Sequence, residues 1–187
     1  MGFIVVYDAC VLYPASLRDL LVRLASKRVV EARWSSEILT EFVKALKKRQ
    51  PHLAPDRLNR TCDLMNQAVP EALVTGHEQI METLTLPDPD DRHVLATEII
   101  ANAQVIVTQN LKDFPKDALA VYDIEALHPD QFLLDTIDLA PGAVCETLAE
   151  LVADLRSPPM TRNDLLDRLE KIGLTRSVAR LSELIEA

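Results

Sequence analysis

Residues 3–14 read FIVVYDACVLYP. The segment FIVVY (3–7) is short, β-branched and without helical period. It predicts a strand covered on both faces, as in a parallel sheet. The run ends in one carboxylate, Asp8, and apolar residues then resume. An acid where a buried strand leaves the core has little structural motive. In open parallel sheets, however, ligands bind just outside the carboxyl ends of strands. One short stretch therefore bears on both the fold class and the position of the site.

Further along, SLRDLLVRLASK (16–27) carries leucines at 17, 20, 21 and 24, which is helical spacing. VVEARWS (29–35) predicts a short strand. SSEILTEFVKALKKR (35–49) predicts a helix with a serine cap and a basic C-terminal tail, where the dipole favours cations. Two more helices are expected over 55–68 and 77–84. In LPDPDDRHVLATEIIANA (86–103), Asp88 reads as an N-cap and Pro89 as the first helical residue. VIVT (105–108) predicts a second buried strand and LAVYDI (119–124) a third. This order implies a three-layer α/β sandwich with a mostly parallel sheet.

After Asp138 the pattern is helical only, over 141–156, 161–173 and 175–187, with a break at Ser157-Pro158-Pro159. Thr161 with Asp164 reads as a capping box, Gly173 as the residue after a helix end, and Thr175 as the next cap. The expected organisation is one domain over 1–138 and a helical module over 139–187.

The chain has 187 residues, of which 48% are hydrophobic, enough for a sizeable core and against global disorder. With 29 acidic and 20 basic residues, the formal net charge is −9. That argues against a general duplex binder, which carries a basic footprint. Cys10, Cys62 and Cys145 are odd in number and far apart, which favours free thiols in a reducing cytoplasm over disulfides or structural zinc. The apolar start lacks a basic leader region, no apolar run is long enough to span a bilayer, and Val6 stands where myristoylation needs Ser or Thr. No membrane association is expected.

The acids carry the chemistry. Asn110 and Asp113 stand just past the strand VIVT. If that strand neighbours the first, Asp8 and Asp113 share one small volume, and two bare carboxylates there demand a proton or a cation. Glu37 and Glu41, four apart, lie on one helix face. Asp88, Asp90 and Asp91 crowd one helix start. Carboxylates without cysteine or clustered histidine suit Mg²⁺ or Mn²⁺, which activate water and clamp a phosphoryl group. Each acid also has an ordinary reading. The three aspartates can cap a helix, Glu41 can pair with Lys44, and Asp113 can sit in a turn. It is their distribution over separate elements that favours a site. His52, His77, His93 and His128 are scattered and read as surface or core residues rather than ligands; His93, next to Asp91, has contact with a substrate as its other use. Phosphate-loop, dinucleotide and serine-hydrolase signatures are absent from the sequence.

VYDACVLYP, WSSEILTEF, LPDPDDRHVLATEI and VIVTQNLKDFP, in that order, resemble the four motif blocks of the PIN domain, over roughly residues 3 to 135. The likeness is strongest to VapC-like toxins of type II toxin–antitoxin pairs, a subgroup of which has a similar helical extension. The resemblance implies a Mg²⁺-dependent endoribonuclease, often acting on tRNA, with a cognate antitoxin protein as partner. It assigns Asp8, Glu41, Asp91 and Asp113 as metal ligands and catalytic acids. It places Asn110 where the family often has a polar residue near the site; Arg92 is a substrate-contact candidate from its charge alone. KALKKRQ (44–50) with Arg57 and Arg60, and Arg92 with Lys112, are the expected basic rims for RNA. One departure is Cys10, where many relatives carry Asn or another polar residue; it bears on a hydrogen bond to the site, not on the metal ligands.

A haloacid-dehalogenase-like phosphatase needs a second acid at position 10, and a phosphoacceptor receiver domain needs an acidic pair after the first strand. This chain has neither. The remaining rival is a catalytically silent PIN scaffold that only binds protein or RNA, and the presence of all four acids argues against it. The apolar stripes of the C-terminal helices fit packing on the domain core; a homodimer or antitoxin surface is the other use open to them.

Overall fold

The computed structural model describes residues 3–156 and 158–186. The Met1-Gly2 start and Ser157 of the expected break lie outside them. A five-stranded, all-parallel sheet has the order β3-β2-β1-β4-β5. The strands are β1 (Ile4–Tyr7), β2 (Glu31–Ser35), β3 (Leu73–Val74), β4 (Val105–Val107) and β5 (Glu125–Leu127). Consecutive strand residues point to opposite faces. Val5, Val6 and Tyr7 of β1 and all three residues of β4 are buried, so helices cover both faces.

The helices before β4 are α1 (Ala9–Leu12), α2 (Ala15–Ser26), α3 (Ser36–Arg49), α4 (Pro55–Ala68), α5 (Glu78–Met81) and α6 (Arg92–Ala101). Ser35 caps α3 as expected, its hydroxyl accepting from the Ile38 amide at 3.2 Å. Helix α6 lies across β1, β2, β3 and β4. After β4 come α7 (Lys116–Leu119), α8 (Pro129–Leu139), α9 (Pro141–Asp154), α10 (Arg162–Lys171) and α11 (Thr175–Glu186).

The strand expected at 119–124 is not one. Those residues end α7 and form a 3₁₀ turn, Ala120–Tyr122, closed by Asp123 at φ 58°. Val121 and Tyr122 face solvent there, and the true strand begins at Glu125. The helix expected over 77–84 is a single turn, α5. The helix expected from 86 opens as a 3₁₀ turn, Pro89–Asp91, capped by Asp88, which accepts from the Asp90 amide at 2.9 Å. The short elements α1 and β3, and helix α8, were not foreseen.

The C-terminal helices pack on the sheet domain. Helix α9 lies against α2 and α8, and α11 against α8. Buried Val144, Leu148, Leu151, Leu165, Leu169 and Leu181 join the main core. The capping box at Thr161 and Asp164 is present, and Gly173 takes φ +97°, a conformation glycine adopts without strain. Asp130, at the start of α8, accepts from the amides of Arg176 (3.2 Å) and Ser177 (2.9 Å), so a side chain of one helix caps the start of another.

Candidate active site

The chain runs from β1 to β2 on one side of the sheet and from β3 across to β4 on the other. The topological switch point therefore falls between β1 and β4, whose register pairs Tyr7 with Val107. Asp8 follows Tyr7 and Thr108 follows Val107. The Asp8 amide donates to the Val107 carbonyl at 3.1 Å, so the pairing holds to the edge of the site. Asp8 is almost fully buried. One carboxylate oxygen, Oδ2, accepts from the Thr108 hydroxyl at 2.6 Å and the Cys10 thiol at 3.1 Å. Thr108 Oγ1 in turn accepts from the Asn110 amide at 3.0 Å, and Cys10 Sγ from the Gln109 amide at 3.3 Å. The Asp8 side chain is thus fixed by a small network spanning the two strand ends.

Burial and the neighbouring Asp8 carboxylate push the Cys10 thiol up to about 12. It remains a protonated donor, and the hydrogen bond that its departure from the family pattern put at stake is made.

A cavity of about 630 Å³ opens over this point, lined by Asp8, Glu41 and Asp91 together with Cys10, Lys48 and Arg49. Burial, and then repulsion from Asp8, Asp88, Asp113 and Glu41, raise the Asp91 carboxyl to about 6. The acids expected from four separate elements therefore sense one another at Asp91. Asp113, half-buried in the 3₁₀ turn Leu111–Asp113, stands outside the cavity wall but within electrostatic reach. Asn110 lines the cavity; Arg92 does not, and its Nε is buried without a hydrogen-bond partner among the described residues. Of the two basic rims, Lys48 and Arg49 reach the cavity, while Arg57 and Lys112 do not line it.

His93, read from the sequence as a surface or core residue with substrate contact as its alternative, is buried with Nε2 3.0 Å from Glu41 Oε1. That is ion-pair distance, although the N–H is not aimed along a straight hydrogen bond. Burial lowers the His93 pKa, but Glu41, with Asp8 and Glu37 beyond, outweighs it and holds the ring above its ordinary value. Thr108 was missed altogether. Its only sequence signal is its place directly after a buried strand.

The donors around the cavity are carboxylates beside a protonated thiol. Such a set fits a hard dication such as Mg²⁺ or Mn²⁺ and disfavours a soft metal. The mutual repulsion at Asp91 is what a cation would offset. A different trio, Glu37, His77 and Glu78, brings one metal-type donor atom from each residue within 4.8 Å of the others. Fully buried His77 sets Nε2 2.9 Å from Glu37 Oε2 and Nδ1 3.9 Å from Glu78 Oε2. Glu37 lies one turn before Glu41 on α3, but none of the trio lines the cavity.

Residues 4–112 match the family model described as "PIN domain", and residues 129–183 match one described as "VapC50 C-terminal domain". The chain is also similar to a Mycobacterium tuberculosis (strain ATCC 25618 / H37Rv) protein named "Putative ribonuclease VapC50", with 52% identity over 79 residues. That match covers 42% of this chain and 47% of the relative, about half its length. With the PIN model matching more than half the chain, and with an all-parallel sheet whose switch point carries the buried acid, the chain belongs to the PIN-domain family.

Proposed function

We propose that this protein is a Mg²⁺-dependent endoribonuclease, able to use Mn²⁺, that hydrolyses RNA phosphodiester bonds as the toxin of a type II toxin–antitoxin pair. In this reading residues 1–138 are the nuclease domain and 139–187 a helical module. The protein works in the cytoplasm, with tRNA the first RNA class to test and an antitoxin protein as its inhibitor. The observation that carries the reading is the cavity at the switch point of the sheet, lined by Asp8, Glu41 and Asp91, where burial and then repulsion from the neighbouring acids raise the Asp91 carboxyl.

Asp8, Glu41, Asp91 and Asp113 would hold the metal. When bound, such an ion supplies a water made acidic enough to ionise near neutral pH and charge to balance the phosphate. The chain's own residues do the rest. Thr108 and Cys10 both bind Asp8 Oδ2, so neither occupies Oδ1 of this cavity-lining residue. His93 stands at ion-pair distance from Glu41 and helps position that carboxylate at the cavity wall. Lys48 and Arg49 offer cations to a phosphate backbone, and Asn110 offers a neutral donor and acceptor.

The test is cleavage of total cellular RNA by purified protein, with Mg²⁺ or Mn²⁺, with chelator, and with Asp8→Asn and Asp91→Asn alongside. Discrete, metal-dependent products that disappear in both variants support the reading. Cleavage that persists in the variants, or no cleavage by the parent, leaves a silent PIN scaffold as the better description.

A further inference from the structure

A second cavity, of about 540 Å³, opens beside the first and shares Cys10, Tyr13, Arg49 and Gln109 with it. The two adjoin along that shared wall and together form one cleft-like surface. From the shared residues it runs onto the C-terminal module, where Arg168, Lys171 and Ile172 form its wall. The charged side chains lining this second part are Arg49, Arg168 and Lys171, cations without an acid among them, in a protein of net charge −9. Arg168 and Lys171 are exposed on α10, and among the described residues neither is engaged in a salt bridge. At the junction the Arg49 guanidinium lies 5.2 Å from the centroid of the Tyr13 ring. A flat ring joined to a flat cation is a surface on which a nucleobase stacks regardless of its identity.

We propose that this cleft is the path of a single-stranded RNA segment flanking the cleaved bond. One base stacks at Tyr13 and Arg49, and the backbone beyond it is held by Arg168 and Lys171. The inference rests on the nuclease reading and adds to it that the C-terminal module is part of the substrate-binding surface. Charge decides between RNA and an apolar ligand. The cations stand in open solvent, where counterion release on binding a phosphate chain drives affinity and a neutral ligand gains nothing from them.

The test is fluorescence anisotropy with a labelled single-stranded RNA of about 12 nucleotides, on full-length protein, across a salt series. The parent is compared with Arg168→Glu/Lys171→Glu and with a matched control of equal charge change away from the cleft, Lys116→Glu/Arg162→Glu. Thermal melting checks that each variant is folded. The cleft variant is expected to bind at least about tenfold more weakly than the control, with a log–log salt slope smaller by about 2. Tyr13→Ala should weaken binding without changing that slope. If the parent cuts and binds RNA but the cleft variant binds as the control does, the proposal is overturned while the nuclease reading stands; an acidic protein segment then becomes the occupant to seek. If the parent neither cuts nor binds RNA, both fail.

Discussion

At Asp91, burial and the surrounding carboxylates oppose ionisation together. The folded carboxyl titrates near 6, above the roughly 4 of an unfolded aspartate. Between those values the native chain keeps a proton that the unfolded chain has released, so stability falls as pH rises and the penalty is complete above the folded pKa. In chelator, Asp91→Asn should therefore melt higher than the parent at mildly alkaline pH, with the gain fading to nothing at about pH 4. Added Mg²⁺ should raise the parent's melting temperature and leave that of the variant nearly unchanged. Equal melting of the two proteins at every pH would mean that the acids do not converge. Thr108 acts through Asp8. Thr108→Val keeps the shape and removes the donor, at a cost of about 1–3 kcal/mol in stability and roughly a 10- to 100-fold loss of cleavage. A cleavage rate equal to the parent's would remove Thr108 from the site. Glu98 of α6 is fully buried, and burial raises its pKa well above the ordinary carboxylate value, with the Val6 backbone opposing weakly. Glu98→Gln should leave melting unchanged in acid and raise it at alkaline pH, where the native glutamate is forced toward ionisation. Asp8 was legible in the sequence because an acid in an apolar run is conspicuous. Thr108 and Glu98 were not, because a threonine after a strand and a glutamate in a helix look ordinary until register and packing show what surrounds them.

Among the elements, those with caps and clear periodicity were readable. The expected span 55–68 is helix α4 to the residue, and the Thr161 capping box marks the approach to α10. The failure at 119–124 has a local cause. Val and Tyr favour strands, but Asp123 in the left-handed region turns the chain, and only the residues after it can pair with β4. Strand β3 has two residues, too few for alternation to register. The cap that Asp130 places on α11 joins residues 46 and 47 positions apart and could not be read from either segment alone. Asp130→Ala should destabilise the protein by about 1–2 kcal/mol, read as a lower urea midpoint. By contrast, the exposed pairs of Lys27 with Glu146 and Glu150 join α2 to α9 at the surface, and Lys27→Ala should shift that midpoint little. A larger effect at Lys27 than at Asp130 would reverse the ranking of what anchors the C-terminal helices.

On the scale of the molecule, the C-terminal helices complete a core begun by the sheet domain. Val144, Leu148 and Leu151 of α9 are buried within the same cluster as Leu17, Leu20 and Leu24 of α2. A chain ending at residue 140 should lose cooperative melting and bind a hydrophobic dye, checked by circular dichroism and fluorescence; sharp melting of that fragment would make the module dispensable for folding. No described helix is long and apolar enough to cross a membrane. The hydrogen bond from Thr108 to Asp8 joins positions 100 apart, and β1 meets β4 across that whole interval. A ribosome adding roughly 5 to 20 residues each second needs roughly 5 to 20 s to make that stretch. Throughout that delay Asp8 has been made, but the strand that orients it does not yet exist. On the nuclease reading proposed above, the topology acts as a timer: the nascent chain cannot assemble its cutting site until most of its message has been read.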